Sequence, residues 1–513
     1  MSGRSRTEYS MMNMGIGFAG YVINTIMGFV CRMVFVRTLP GEYLGINGLF
    51  SNVLSMLSLA ELGIGTAIVY ALYKPLAEND EEKIASLMKF YGTAYKIIGC
   101  VVATVGLVLL PGLKFIIGST PDIKENIYLI YAVYLFNTCL TYFFSYRASL
   151  LTAAQRNYIQ LGLSYLITTI QSIVQIIVLS ITHEYLLYLG IQTIGTIIFN
   201  IAISCKVIKD YPYIENRDIK PLDEKGKKSL FINIKALTTS RISELLVNST
   251  DNIIITYFSG LVTVGAASNY TLLSGTLSTL TNQVFNSLVA SVGNFNVLKK
   301  EEDVFSFYKI LQLANFIIFG WATIGILFVS SDLVELCFGE NYVLSASIPF
   351  VLSLNFYLVT MQSAIKTYRS TLGLFKYGQY TLIFTAGFNL IFSVFLGRIW
   401  GLFGIYVSTA FARMLTSTWY MPYAVFKYGF NRKPLEYFKM YFKYFVIIAI
   451  DASICFVLCR CVDFSPAVNV VIKICICSIV PNVMVFLTFG RTAELKYLLE
   501  KVQGIMKRKK IIA

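Results

Sequence analysis

Long apolar runs, separated by short polar stretches rich in Lys and Arg, recur along the chain from Met11 to Gly490. Each run is about 18 to 26 residues long, enough to cross roughly 30 Å of hydrocarbon as a helix rising 1.5 Å per residue. The runs lack the period-two alternation of a membrane strand. The pattern predicts helices beginning near Met11, Tyr43, Tyr91, Ile127, Tyr158, Tyr185, Phe231, Leu261, Phe305, Ser345, Tyr377, Gly401, Met440 and Ala467. That is an all-α membrane protein of about fourteen transmembrane helices. The first ten residues (MSGRSRTEYS) are polar and no small-residue cleavage site follows the first run, so the first helix is expected to be retained rather than removed as a signal peptide.

The polar stretches organise these helices. The longest charged loop, Lys206 to Lys228, divides six predicted helices from eight. Across it, Tyr146-Arg147-x-x-Leu150 followed by Tyr158 returns as Tyr368-Arg369-x-x-Leu372 followed by Tyr380, at an offset of 222 residues. Gly45, Ser51 and Ser58 return as Gly265, Thr271 and Ser278 at an offset of 220. Six helices is an even number, so a second set enters the membrane in the same direction as the first, a parallel repeat. The expected organisation is a six-helix lobe over 1–205, a cytoplasmic linker over 206–228 and a second six-helix lobe over 229–430. An added helix pair over 431–490 and a basic amphipathic tail over 491–513 complete it.

Composition sharpens this picture. Of 513 residues, 56% are apolar and 14% charged, with a mean hydropathy of +0.65, outside the ordinary globular range. Most of the 43 Lys and Arg fall in the tails and alternate loops, which places both termini in the cytoplasm. The net charge of +15 follows from that bias and from contact with anionic headgroups, and carries no implication of nucleic acid. Seven of the ten cysteines, Cys31, Cys100, Cys139, Cys205, Cys455, Cys475 and Cys477, sit in or at the edge of apolar runs, where they act as small hydrophobes rather than a disulfide framework.

Ionisable groups at membrane depth cost several kcal/mol and survive chiefly where they face a bundle interior or wet cavity. Arg241, Glu244, Asn248 and Asp251 fall on one face of the helix predicted from Phe231. Asn47, Ser51, Ser55, Ser58 and Glu61 stripe the helix from Tyr43, and Thr271, Ser274, Ser278 and Thr281 stripe the one from Leu261. Asn24, Gly28 and Arg32 recur at a spacing of four on the first helix. These stripes either line a hydrated cavity with cations available for an anionic substrate, or form close-packed seams between helices. Arg413, and Lys366 with Arg369, reach the same depth near helix ends, where orientation anchors are common. Asp451 and Lys473, both in the added pair, are expected to pair with each other, and the lone His183 to be solvated in a short external loop.

The stretch Val36-Arg37-Thr38-Leu39-Pro40-Gly41-Glu42-Tyr43-Leu44-Gly45-Ile46, followed by Glu61-Leu62-Gly63-Ile64-Gly65, resembles the first hairpin of polysaccharide flippases in the multidrug/oligosaccharidyl-lipid/polysaccharide exporter superfamily. Asp251-Asn252-Ile253-Ile254-Ile255 with Gly260, Val264 and Gly265 resembles the equivalent hairpin of the second half, and the likeness runs from about Met11 to Phe430. The resemblance implies two lobes forming a V around a central cavity. It also implies an alternating-access flippase that carries undecaprenyl-diphosphate-linked oligosaccharide to the outer leaflet of a bacterial cell membrane, for surface polysaccharide synthesis. Arg32, Arg241, Arg413 and Arg369 would then meet the diphosphate. Asn24, Ser51, Ser55, Ser58, Asn248, Thr271, Ser274 and Ser278 would meet the sugar. Glu61, Glu244 and Asp251 would be available to couple Na+ or H+, and no organic cofactor or metal is expected. The polymerase and glycosyltransferases of the same assembly line are the expected partners.

Three other readings compete. A polytopic glycan polymerase or glycosyltransferase would call for paired carboxylates or histidines in a large external loop, whereas the external connections here are short, the longest running roughly from Leu113 to Asn126 and from Ser330 to Val343. A cation-coupled drug or metabolite exporter of the same fold is harder to separate, and the added helix pair argues against it. A membrane scaffold would leave the polar stripes without a purpose. No phosphate-binding glycine loop is present to drive an ATP-powered pump.

Overall fold

The computed structural model describes residues 6–57, 64–113, 117, 123–216, 221–222, 251–280, 282, 301–372, 374, 377–378, 380 and 381–500. Among them every regular element is helical. Eleven helices among the described residues are long and apolar enough to cross a membrane. The helix expected from Phe231 begins outside the described residues, and Arg241, Glu244, Asn248, Ser58 and Glu61 lie there too.

Contacts divide the chain into two compact units, Met1–Gly265 and Ala266–Ala513. The first contains α1 (Arg6–Thr38), α2 (Gly41–Leu57), α3 (Ile64–Glu78), α4 (Glu81–Leu109), α5 (Ile127–Phe144), α6 (Ala148–Ala153), α7 (Asn157–Thr182) and α8 (Tyr185–Asp210). A further helix, α9 (Asp251–Leu280), spans the boundary. The second contains α10 (Glu301–Phe338), α11 (Ser347–Thr360), α12 (Ser363–Thr371), α13 (Thr381–Leu415), α14 (Ser417–Ala424), α15 (Leu435–Arg460) and α16 (Pro466–Phe489).

Element starts reproduce the repeat seen in the residues. Gly260, at φ 80°, interrupts α9, so its second segment starts at Leu261, 220 residues after Gly41. Glu81 and Ile127, which open α4 and α5, have counterparts at the same offset in Glu301 and Ser347, which open α10 and α11.

In the first unit α1 lies along α7, and α5 packs between α4 and α8. The membrane-facing side of α7 is read directly from exposure: Leu166, Ile170, Ile173, Ile177 and Ile181 are uncovered, while Ser172 and Gln175 point inward and are buried. His183 closes this helix in the left-handed conformation, with its N–H donating to Leu179 O.

In the second unit, the core joins α10, α11, α15 and α16 through Leu313, Phe316, Val329, Tyr357, Tyr444 and Phe489, with Phe316 and Tyr444 stacked at 4.5 Å. The long helix α13 is two helices. Gly401 stands at φ 56°, ψ −135°, a conformation that only glycine adopts readily, and the chain doubles back there as the predicted start at Gly401 requires. Three buried polar rungs tie the arms: Ser393 to Ser408 at 2.6 Å, Asn389 Nδ2 to Thr409 Oγ1 at 2.8 Å and Thr385 to Thr416 at 2.6 Å. A Cβ on Gly404 would lie 2.1 Å from Leu396 O, so a side chain there would force the arms apart.

Two sequence expectations are corrected. The external connection expected over Ser330 to Val343 is helical as far as Phe338, because α10 continues through it. Lys473 does not pair with Asp451: its ammonium meets Asp332 of α10 at 2.7 Å. Asp332 is buried and lies on the helix against which α16 packs, whereas Asp451 is buried on α15 with Oδ1 lacking a hydrogen-bond partner among the described residues.

Candidate functional site

The polar stripe of α2 is uncovered on one side of an otherwise packed helix. Ile46, Leu49, Phe50 and Val53 are fully buried on its inner face, with Phe50 edge-on to Tyr131 and Tyr134. Ser51 is exposed, Asn47 and Ser55 are half-buried, and the Ser51 hydroxyl donates to Asn47 Oδ1 at 3.4 Å. The contrast with α7 is the informative point. Where α7 turns toward lipid it shows Leu and Ile, and where α2 is uncovered it shows Asn and Ser, the residues of a water-facing surface.

The second segment of α9 behaves alike. Thr271, Gly275 and Thr279 are exposed one turn apart, and Ser274 and Ser278 are half-buried beside them. Their hydroxyls donate into their own helix, Thr271 to Ser268 O at 3.2 Å, Ser274 to Thr271 O at 3.2 Å and Thr279 to Gly275 O at 2.9 Å. That leaves each oxygen free to accept a further hydrogen bond. Ser278 also accepts from Asn282 Nδ2 at 3.1 Å, whose Oδ1 accepts from Ser363 at 3.3 Å. This polar chain begins on the stripe and ends in α12.

Within the first unit α2 meets the start of this α9 segment backbone against backbone. A Cβ on Gly45 would sit 2.1 Å from Leu261 O, and one on Gly265 would sit 3.1 Å from Gly41 O. The two contacts are images of each other under the 220-residue offset, since 41 maps to 261 and 45 to 265. The sequence singled out Gly45 and Gly265 as repeat markers, but only the fold shows that they touch the same crossing.

The cations and acids are placed as follows. Arg32 is half-buried on α1, one turn before Phe35. Tyr188 packs on Phe35 at 5.2 Å, beside the Tyr134–Tyr185 hydroxyl pair at 3.1 Å. Asn24, two turns earlier, is half-buried with Oδ1 lacking a hydrogen-bond partner among the described residues, and the space beside Gly28 is open. Asp251 is half-buried at the first described turn of α9. Arg413, near the end of α13, and Arg369, on α12, are half-buried in the second unit. Arg369 Nε donates to Leu374 O at 3.4 Å.

The repeat partner of Arg369, Arg147, is tied down by Ser204 at 3.0 Å and Glu215 at 2.6 Å. Sequence reasoning did not single out this anchor, because Glu215 sits in the linker and nothing in its neighbours marks it. Outside the membrane-spanning segments, Glu184 lies 2.6 Å from Lys124 and holds that ammonium above its usual range. Tyr43 donates to Glu125 and accepts from the Lys124 N–H at 3.2 Å, fastening the start of α2 to the same loop. No group of His, Cys, Asp and Glu among the described residues is arranged to hold a metal.

No family model matches the sequence. It is 23% identical, over 84% of the chain and 85% of the relative, to an uncharacterized membrane protein, MJ1068, of Methanocaldococcus jannaschii. The fold is similar to that of the lipid II flippase MurJ in an inward closed conformation, with a TM-score of 0.63 at 15% identity over 94% of this chain and 99% of that one. It is also similar to an inward-facing multidrug resistance MATE family transporter of the MOP superfamily, with a TM-score of 0.57 at 15% identity, covering 80% of this chain and 96% of that one. The chain therefore has the fold of the multidrug/oligosaccharidyl-lipid/polysaccharide exporter superfamily.

Proposed function

We propose that the protein is a flippase that moves undecaprenyl-diphosphate-linked oligosaccharide from the cytoplasmic to the outer leaflet. The observation that carries this reading is the uncovered hydroxyl and amide surface on α2 and on the second segment of α9. A sugar chain crossing the bilayer must exchange water for such acceptors and donors along its whole path, because a hydroxyl left without a partner in an apolar medium costs several kcal/mol. Arg32, Arg241, Arg369 and Arg413 supply charge for the diphosphate, for which Arg is well suited by its planar fork of donors. Glu61, Glu244 and Asp251 are proposed as carriers for a coupling Na+ or H+. Alternating access about the Gly45 and Gly265 crossing would present this surface to each side in turn.

The added pair α15 and α16 favours a lipid-linked substrate over a small cation, since the neighbour that also covers 94% of this chain is a lipid flippase. The test replaces the polar surface without disturbing the packed one. Ser51→Leu with Thr271→Leu should leave elution volume and melting midpoint unchanged and reduce glycolipid movement in proteoliposomes at least tenfold. Undiminished movement in that variant would remove the polar surface from the transport path.

A further inference from the structure

The end of the second unit where α10 and α15 begin and α16 ends holds a cleft that the transport reading does not use. It has a volume of about 460 Å³ and is lined by Phe305, Lys309, Glu436, Lys439, Lys443, Phe489, Thr492 and Glu494, among others. Its floor is aromatic and buried, from Phe305, Phe426, Tyr444 and Phe489, and its rim is cationic. The Lys443 ammonium stands over the Phe489 ring at 4.4 Å and the Lys309 ammonium over Phe305 at 5.2 Å. The Arg432 guanidinium lies over the same Phe305 ring at 4.1 Å.

The carboxylates do not cancel this charge. Glu436 is met by Arg432 at 3.5 Å, which leaves Lys309, Lys439 and Lys443 against Glu494 alone. None of the three lysines has an ion-pair partner among the described residues. All three are exposed, so each keeps donors directed outward, and the heads of Lys309 and Lys443 also rest on aromatic faces. The positive-inside bias puts this end of the helices at the cytoplasmic surface, where anionic headgroups concentrate. On the same two helices, deeper toward the bilayer, Phe445 and Phe486 are exposed and offer an apolar path for acyl chains.

We infer that this cleft is a binding site for the headgroup of an anionic phospholipid of the cytoplasmic leaflet, with Lys309, Lys439 and Lys443 on the phosphate. An ammonium held over a ring is partly dehydrated, so less water must be displaced when the phosphate arrives. The site lies where α15 and α16 pack on α10, so an occupied cleft ties the added pair to the second unit.

The experiment uses the full chain purified in detergent, with lipid retention followed by native mass spectrometry and stability by melting midpoint. Phosphatidylglycerol should be retained and should raise the midpoint, whereas phosphatidylcholine should not. Lys439→Gln with Lys443→Gln should weaken phosphatidylglycerol retention about thirtyfold, from a contribution of about fivefold per lysine near a charged surface. The midpoint of that variant without lipid should be unchanged, because both side chains are exposed. Equal retention by the variant, equal retention of phosphatidylcholine, or the same stabilisation by inorganic phosphate alone would each overturn the assignment.

Discussion

Lys473 carries a charge into an apolar helix, and its partner decides what that costs. Lys473 and Asp332 meet at 2.7 Å with only 17% and 10% of their side chains exposed, so neither charge has water to fall back on. Breaking one side strands the other, a loss of about 3 to 5 kcal/mol, whereas replacing both with apolar groups of similar size is often close to neutral. Lys473→Met should therefore lower the melting midpoint sharply, and Lys473→Met with Asp332→Leu should recover most of it; a double variant no better than the single one would show that the pair does more than satisfy its own charges. Asp332 escaped the sequence reading because it was placed in a connection between helices, and its depth became visible only when α10 was seen to continue to Phe338. Gly45 is the other residue whose identity is dictated by contact. With Leu261 O only 2.1 Å from where a Cβ would stand, Gly45→Val should overpack the crossing and cost about 1 to 3 kcal/mol in melting stability, together with a loss of transport.

Among the elements, hairpins at glycine turns recur, and they were the most legible part of the sequence. The predicted start at Gly401 marks the reversal in α13, and Leu261 begins just after the break at Gly260, because a glycine between two apolar runs is a reliable site for a backbone that leaves the helix. What holds the arms together was not legible. Thr385, Asn389 and Ser393 read as ordinary polar interruptions of an apolar run, and only the fold sets them opposite Thr416, Thr409 and Ser408. Gly404→Leu should open this hairpin and reduce the yield of folded protein in detergent, measured by monodisperse elution, while Gly387→Leu, where no atom lies within 4 Å of an added Cβ, should be tolerated. The stripes on α2 and α9 were legible as stripes, but exposure was needed to distinguish an open face from a packed seam. Ser51 and Thr271 are each uncovered.

For the whole molecule, membrane class and all-helical architecture followed from apolar run length, and the superfamily fold from the resemblance carried by the first hairpin of each half; the solved neighbours share that fold at 15% identity. On the proposed function, substrate identity would rest on a few cations and hydroxyls whose positions constrain the fold very little. Arg241→Ala tests the chemistry at this scale: the protein should remain inserted and folded, and transport should be abolished, because a diphosphate crossing the bilayer without a counter-charge is strongly opposed. The most direct measurement places a defined undecaprenyl-diphosphate oligosaccharide in one leaflet of liposomes and follows its appearance in the other, against protein-free vesicles and vesicles holding the Arg241→Ala protein. The account predicts movement that depends on the wild-type protein and is lost in both controls. No glycolipid movement across a panel of sugars, with uptake of small organic cations instead, would contradict it and assign the protein to drug export.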